Sequence, residues 1–415
     1  MDSAHRVLYI TQEGHPAFSA FLESSKYGAE DHELVTYGPI VIGKLLRGDD
    51  VSTLVQGLET YFSPDCEIFL NSPGCTRIEM WYLMYANALA AHLIRRLARE
   101  RPELAERWRQ SATTLQAMAR RINYDFNYQG YDFEAHEPWT DKDVYRQPDA
   151  IGGYAYLMLL TYAMSGDSAF LDESRQALAK YLNFVENPWY EVPDGAMAVV
   201  AAARLRAMGD SVDTQLALAR LLDPAAALVM GEWGGCEVNG LMRGWRYSTP
   251  ESAYSMESLM VLPHILPAAR YDVRLAADIG RYALHTATNA RWFFSGFIHS
   301  RESRPDLSSA VPYERLLAQG DGVAPYATGD FEGHKSVYGG AYVLWWDALV
   351  KATKDPYILR LDLARSDFLA ERAYPTFLYY NPWSDERTVM VEIGENSHDL
   401  YDLAQHTWLA KHAWG

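Results

Sequence analysis

Cysteine is scarce: Cys66, Cys75 and Cys236 are the only three in 415 residues. So few scattered thiols build neither a disulfide framework nor a zinc site, and they are expected to be reduced. No segment reaches the roughly 18 apolar residues that a membrane-spanning helix needs. The opening Met1-Asp-Ser-Ala-His-Arg6 has no basic stretch followed by an apolar core. A soluble, cytoplasmic protein without a membrane partner is therefore expected. Lys and Arg gather into no basic stripe, and the formal net charge is −17, which disfavours nucleic acid as a partner. Histidines and acids form no metal-ligand spacing, so no metal or other cofactor is expected.

What is present is a large apolar fraction, 49% of the residues, arranged as a repeat. Six times an almost uncharged stretch is followed by a tight polar turn and then by an amphipathic stretch. The turns are Arg47-Gly-Asp-Asp50, Arg99-Glu-Arg-Pro102, Ser165-Gly-Asp-Ser168, Met208-Gly-Asp-Ser211, Arg270-Tyr-Asp272 and Lys354-Asp-Pro356. Each is suited to end one helix and cap the next. Before the third turn, AIGGYAYLMLLTYAM at 150–164 carries no charge on any side, as in a helix buried all round. After it, Phe170, Ala177, Leu178, Leu182 and Val185 recur at helical spacing among charged residues, as in a half-exposed helix. The same contrast predicts helices at 34–46 and 51–62, 78–91 and 103–122, 196–208 and 212–222, 251–266 and 273–290, and 337–350 and 357–369.

Six hairpins that must stack to bury their faces can close into a ring of inner helices surrounded by outer ones. The pattern resembles the (α/α)6 toroid of several glycoside hydrolases, polysaccharide lyases and sugar epimerases. The expected fold is thus an all-α-dominated (α/α)6 toroid at 1–371. Beyond it, 376–380, 388–393, 399–403 and 407–411 read as short strands, giving a small antiparallel β module at 372–415 packed on the toroid.

Short turns join inner to outer helices, whereas the returns at 63–75, 123–147, 187–194, 223–249 and 291–335 are long and must emerge at one end of the ring. They read NYDFNYQGYDFEAHEPWTDKDVYRQ, GEWGGCEVNGLMRGWRY and YATGDFEGHK in part, mixing aromatics, carboxylates, arginines and glycines. Aromatic faces and planar polar groups suit a carbohydrate. The candidate substrate-binding residues are Trp139, Tyr145, Arg146, Trp189, Trp233, Arg243, Trp245, Arg246, Tyr254, His334 and Tyr338.

Glycosidic cleavage needs one protonated and one ionised carboxyl group. Asp149 opens the uncharged third inner helix, and Asp330 and Glu332 flank Phe331 just before the sixth, so these three are the candidate catalytic residues. Asp149 could equally be a helix cap, and an acid of the 330–332 pair could cap the helix at Ser336. Glu79, Asp194, Glu232, Glu237 and Glu251 are further carboxylates near the same end. Glu79 stands in an otherwise uncharged run and should meet a partner or solvent. Arg146-Gln-Pro-Asp149 before an apolar helix and Ser-Gly-Asp is similar to the unsaturated glucuronyl hydrolases, which implies an acid at an inner-helix start that protonates the substrate. The expectation is a glycoside hydrolase acting on an oligosaccharide. A lyase or epimerase using Tyr/His with Arg, with His136, His264, His299 or His334 as the histidine, is the alternative. An isomerase or dehydratase of a non-sugar substrate and a non-catalytic scaffold remain further readings, because fold does not dictate function.

Overall fold

A computed structural model describes residues 8–11, 14–21, 32–74, 76–294, 296–298, 312–320, 322–329, 337–370, 374–393 and 395–413. Within these, the uncharged stretches form the inner helices α1 (Leu34–Arg47), α2 (Met80–Leu97), α4 (Ala150–Ser165), α6 (Val192–Ala207) and α8 (Ser255–Tyr271), and the sixth is split into α10 (Tyr338–Ala341) and α11 (Val343–Leu349). They touch in cyclic order, α1 to α2 to α4 to α6 to α8 to α10, and α10 and α11 close back on α1. The fold is the (α/α)6 toroid.

The physical contrast read in the sequence is the one the structure uses. In α4 every residue from Ala150 to Thr161 is buried. The outer helices α3 (Pro102–Arg121), α5 (Ser168–Leu182), α7 (Thr214–Leu221) and α9 (Ala276–Asn289) bury one face each. Gly48 and Gly166 end α1 and α4 in the left-handed conformation, at φ 88° and 75°, which lets the chain reverse within the short turn. Asp167 and Asp213 then cap α5 and α7 through their side chains.

Two outer positions depart from expectation. The stretch expected as a helix at 51–62 is a 3-10 helix at Leu54–Tyr61. In place of the sixth outer helix expected at 357–369, Leu359–Asp362 is a strand between Val350–Ala352 and Phe377–Tyr379 in an antiparallel sheet, with Leu361 opposite Leu378. Of the tail strands, His398–Asp402 pairs with Thr407–Ala413, whereas 388–393 is irregular.

At the other end of the inner helices, the long returns build small sheets. Arg77–Glu79, Gly130–Asp132 and Glu137–Trp139 form one. Leu228–Val229, Leu241–Met242, Ser252–Tyr254, Arg315–Leu317 and Tyr326–Thr328 form another. All lead into, or lie beside, inner-helix N-termini. Among the described residues no helix is long and apolar enough to cross a membrane, and no cluster of His, Cys, Asp and Glu is arranged to hold a metal ion. Cys66 and Cys236 are free thiols.

Candidate active site

Four inner helices start with an acid at the N-cap position: Glu33 for α1, Glu79 for α2, Asp149 for α4 and Glu191 for α6. None of the four side chains caps its own helix. An acid at this position ordinarily turns back to the N–H groups of the first turn. Here the side chains of Glu33, Glu79 and Asp149 are engaged elsewhere. A second layer follows one turn on, where Asp194 in α6 and Glu257 in α8 are buried in the first turns of their helices.

Glu79 is half-buried and held by two amides: Gln129 Nε2 donates to Oε1 at 3.0 Å and Gln147 Nε2 donates to Oε2 at 3.1 Å. Each amide is itself fixed, because Gln129 Oε1 accepts from the Asp141 N–H and Gln147 Oε1 accepts from the Trp81 N–H. The two amides fix the position of both carboxyl oxygens. Glu191 has the opposite surroundings. Burial, then the charges of Glu257, Asp149, Glu79 and Asp194, hold its carboxyl well above the usual range, which favours the protonated form. Its Oε2 has no hydrogen-bond partner among the described residues. The residue retains 8% exposure, against 1% for Asp149 and 0% for Asp194.

Asp149 lies beneath. Its Oδ2 accepts from the Tyr190 N–H at 2.7 Å and the Glu191 N–H at 3.1 Å, tying α4 to the start of α6. Burial pushes its carboxyl up to about 7, against the lowering by those two N–H donors and by Arg246. Asp194 is pushed up by burial and by Asp149. Asp149 Oδ1 and both oxygens of Asp194 lack hydrogen-bond partners among the described residues. Two acids in one desolvated space cannot both ionise at neutral pH, so the pair holds at least one proton. Gly153 makes the room: a Cβ there would stand 1.9 Å from Asp194 Oδ1.

The aromatic residues sort into two groups. The Trp245 ring is half-buried and lies 5.8 Å from Tyr145, 6.0 Å from Tyr190 and 5.8 Å from Tyr247, a wall beside Glu191. The Arg246 N–H donates to the Tyr190 carbonyl, which places its side chain where it acts on Asp149. Trp139 lies under the Arg77 guanidinium at 4.1 Å. Tyr254 precedes α8 and packs on Gly244, and Tyr338 donates to Glu33 Oε1 at 3.1 Å. By contrast Trp189 is buried under Arg243, whose guanidinium is spent on the carbonyls of Ala226, Arg246 and Ser248. Arg146 pairs with Asp143 at 2.9 Å, and Trp233 belongs to a hairpin with Cys236–Glu237. Glu237 faces His285 on the outside, while Glu232 and Glu251 are exposed. Asp330, Glu332 and His334, like His299, lie outside the described residues.

Deeper on the ring axis the space is filled. His264 Nε2 is 2.9 Å from the Tyr85 hydroxyl, which is 2.5 Å from that of Tyr342. Burial pushes the His264 imidazole down to about 3, so it is neutral. Glu191 and Glu257 were not singled out from the sequence. The usable signal was positional: Glu191 stands one residue before the fourth inner helix, where Glu79 and Asp149 stand before theirs.

No protein-family model matches the chain, and no curated protein matches it. Solved structures share its architecture. A sugar epimerase from a ruminal bacterium superposes with a TM-score of 0.54 at 10% identity, covering 82% of this chain and 93% of that one. Cellobiose 2-epimerase from Bacillus thermoamylovorans B4167 gives 0.52 at 9% identity, with the same 82% and 93% coverage. At such identities the likeness is one of fold.

Proposed function

We propose that this protein is a carbohydrate-active enzyme that hydrolyses a glycosidic bond, with Glu191 as general acid and Glu79 as the second catalytic carboxyl group. One observation carries this reading: Glu79 and Glu191, at inner-helix starts on either side of α4, have unlike surroundings, Glu191 desolvated among acids and Glu79 gripped by two amides. Glycoside cleavage uses two carboxyl groups, one giving a proton and the other acting as base or nucleophile. Asp149 and Asp194 sit behind Glu191, and the charge this pair carries raises its carboxyl. Trp245, Tyr145 and Tyr190 offer the faces on which a pyranose ring can pack, with Arg246, Arg146, Tyr254, Tyr338 and Trp139 around them. Asp330 and Glu332 remain proposed contributors from the loop before α10.

The test is release of reducing ends from a panel of oligosaccharides. Glu191→Gln and Glu79→Gln should each lower kcat by about 10²–10⁴-fold with an unchanged circular dichroism spectrum, the scale of a lost general acid or base. Full activity in either variant overturns the assignment. In the wild type the basic limb of the pH profile should report Glu191, since the enzyme needs that proton, and Glu191→Gln should remove the limb.

A second reading, epimerisation at a carbon next to a carbonyl, is favoured by the fold shared with two sugar epimerases. Incubation in D2O separates the two. Deuterium entering the sugar ring without new reducing ends supports epimerisation, and new reducing ends without ring deuterium support hydrolysis.

A further inference from the structure

We propose that the opposite end of the toroid carries a second binding site, for a small molecule bearing a phosphate group. A cavity of about 420 Å³ opens over the C-terminal end of α4, with Arg95 from α2, Arg204 from α6 and Arg270 from α8 in its wall, together with Leu159, Tyr162 and Met208. Volumes of this size hold a small organic ligand.

Arginine near a helix C-terminus commonly serves the helix dipole, and that accounts for each residue on its own helix. It does not account for their convergence. The last turn of α4 carries no basic residue, yet guanidinium groups from three other helices meet over it. Part of that charge is spent locally. Arg270 pairs with the buried Asp367 carboxylate at 2.7 Å. The Tyr271 hydroxyl donates to the same oxygen at 2.6 Å, and its ring lies 5.1 Å from the Arg204 guanidinium and 5.6 Å from that of Arg270. Arg204 itself has no carboxylate within ion-pair distance among the described residues. In a chain of net charge −17, Arg204, half-buried in a cavity and paired with no described carboxylate, is the group to be matched by an incoming anion.

The chemistry of the wall selects a phosphate. Guanidinium donors in a fork favour a tetrahedral dianion with several acceptor oxygens, with the Tyr162 hydroxyl as a further donor. Leu159 and Met208 then offer an apolar surface to the carbon body. The site is distinct from the carboxylate cluster, which lies at the other ends of the same helices.

Titration calorimetry with inorganic phosphate and with glycerol 3-phosphate, against NaCl of matched ionic strength, tests this. Both should bind saturably, and glycerol 3-phosphate at least as tightly as phosphate. Arg204→Gln should weaken binding at least about tenfold, the effect of losing a charge-assisted hydrogen bond. Arg204→Lys should restore part of it. Arg206→Gln, two residues along and engaged with Asp272 at 3.4 Å, should leave affinity unchanged, as should Glu191→Gln at the far end. Absence of saturable binding to the folded wild type overturns the proposal, and so does equal affinity in the Arg204→Gln protein.

Discussion

Asp149 shows how one side chain can be both a fastener and an electrostatic load. It accepts two backbone N–H groups at the start of α6, and it does so where burial lifts its carboxyl to about 7. From about pH 4 to pH 7 the folded state therefore binds a proton that the unfolded chain has released. By linkage the contribution of this group to stability falls as pH rises through that window and stays low above it. Asp149→Asn keeps an oxygen for the two donors and removes the ionisation. Relative to wild type, the variant is expected to gain stability between pH 5 and pH 8, by at most about 2.6 kcal/mol. Asp194 and Glu191 share the proton balance and reduce that figure. Denaturant melts of both proteins at the two pH values decide it, and an identical difference at both would refute the assignment of the proton. The buried histidines act in the opposite sense: His264, held down to about 3, contributes stability that is lost as pH falls below about 6.5. That term is common to both proteins and cancels in the comparison.

At the scale of elements, the inner helices were legible because burial on every side leaves a run without charge, and α4 is the plainest instance. The sixth outer element was misread for a related reason. In Leu359, Arg360, Leu361, Asp362 and Leu363 apolar and charged residues alternate, which is strand periodicity, and Leu361 and Leu363 are the ones buried. Counting repeats gave this stretch a helix; its own period did not. The site was legible as a location and less so as a set of residues. Returns of unequal length separate Glu33, Glu79, Asp149 and Glu191, so no regular spacing or short motif marks them, and only their shared place before an inner helix does. Asp149 looked like a cap and is one of a different kind, serving α6 rather than α4. The joint between these helices also yields a prediction. Gly152 and Gly153 let α4 approach α6 and α2: an added Cβ would lie 2.9 Å from Ala198 Cβ in one case, and 1.9 Å from Asp194 Oδ1 and 2.9 Å from Met84 Cβ in the other. Gly153→Ala is expected to cost about 1–3 kcal/mol by overpacking. It should also shift the pH–rate profile, because Asp194 must move. Gly195→Ala in α6, where the nearest atom is 3.4 Å away, should leave that profile in place.

For the molecule as a whole, function rests on the ring being closed, since the acids of α2, α4 and α6 meet only if α1 and the sixth inner position hold the circle shut. The closing contact is tight. Gly43 in α1 lies against the α11 backbone, where an added Cβ would be 2.7 Å from Trp345 N and 2.8 Å from Leu344 Cβ. Trp345 behind it is fully buried and packs edge-on against His264 and Phe368. Backbone cannot yield as a flexible side chain does, so Gly43→Ala must separate α1 from α11. The expected cost is about 1–3 kcal/mol, together with a loss of catalytic activity although the substitution lies far from Glu79 and Glu191 in sequence. Trp345→Ala removes volume at the same seam and is expected to cost about 3–5 kcal/mol. If the ring is one cooperative unit, both variants should show a single unfolding transition displaced to lower denaturant, followed equally by tryptophan fluorescence and by far-ultraviolet circular dichroism. Should the two probes separate in either variant, the toroid would be opening at this seam while its remaining hairpins stay folded, and closure would be a local property rather than the condition that assembles the acids.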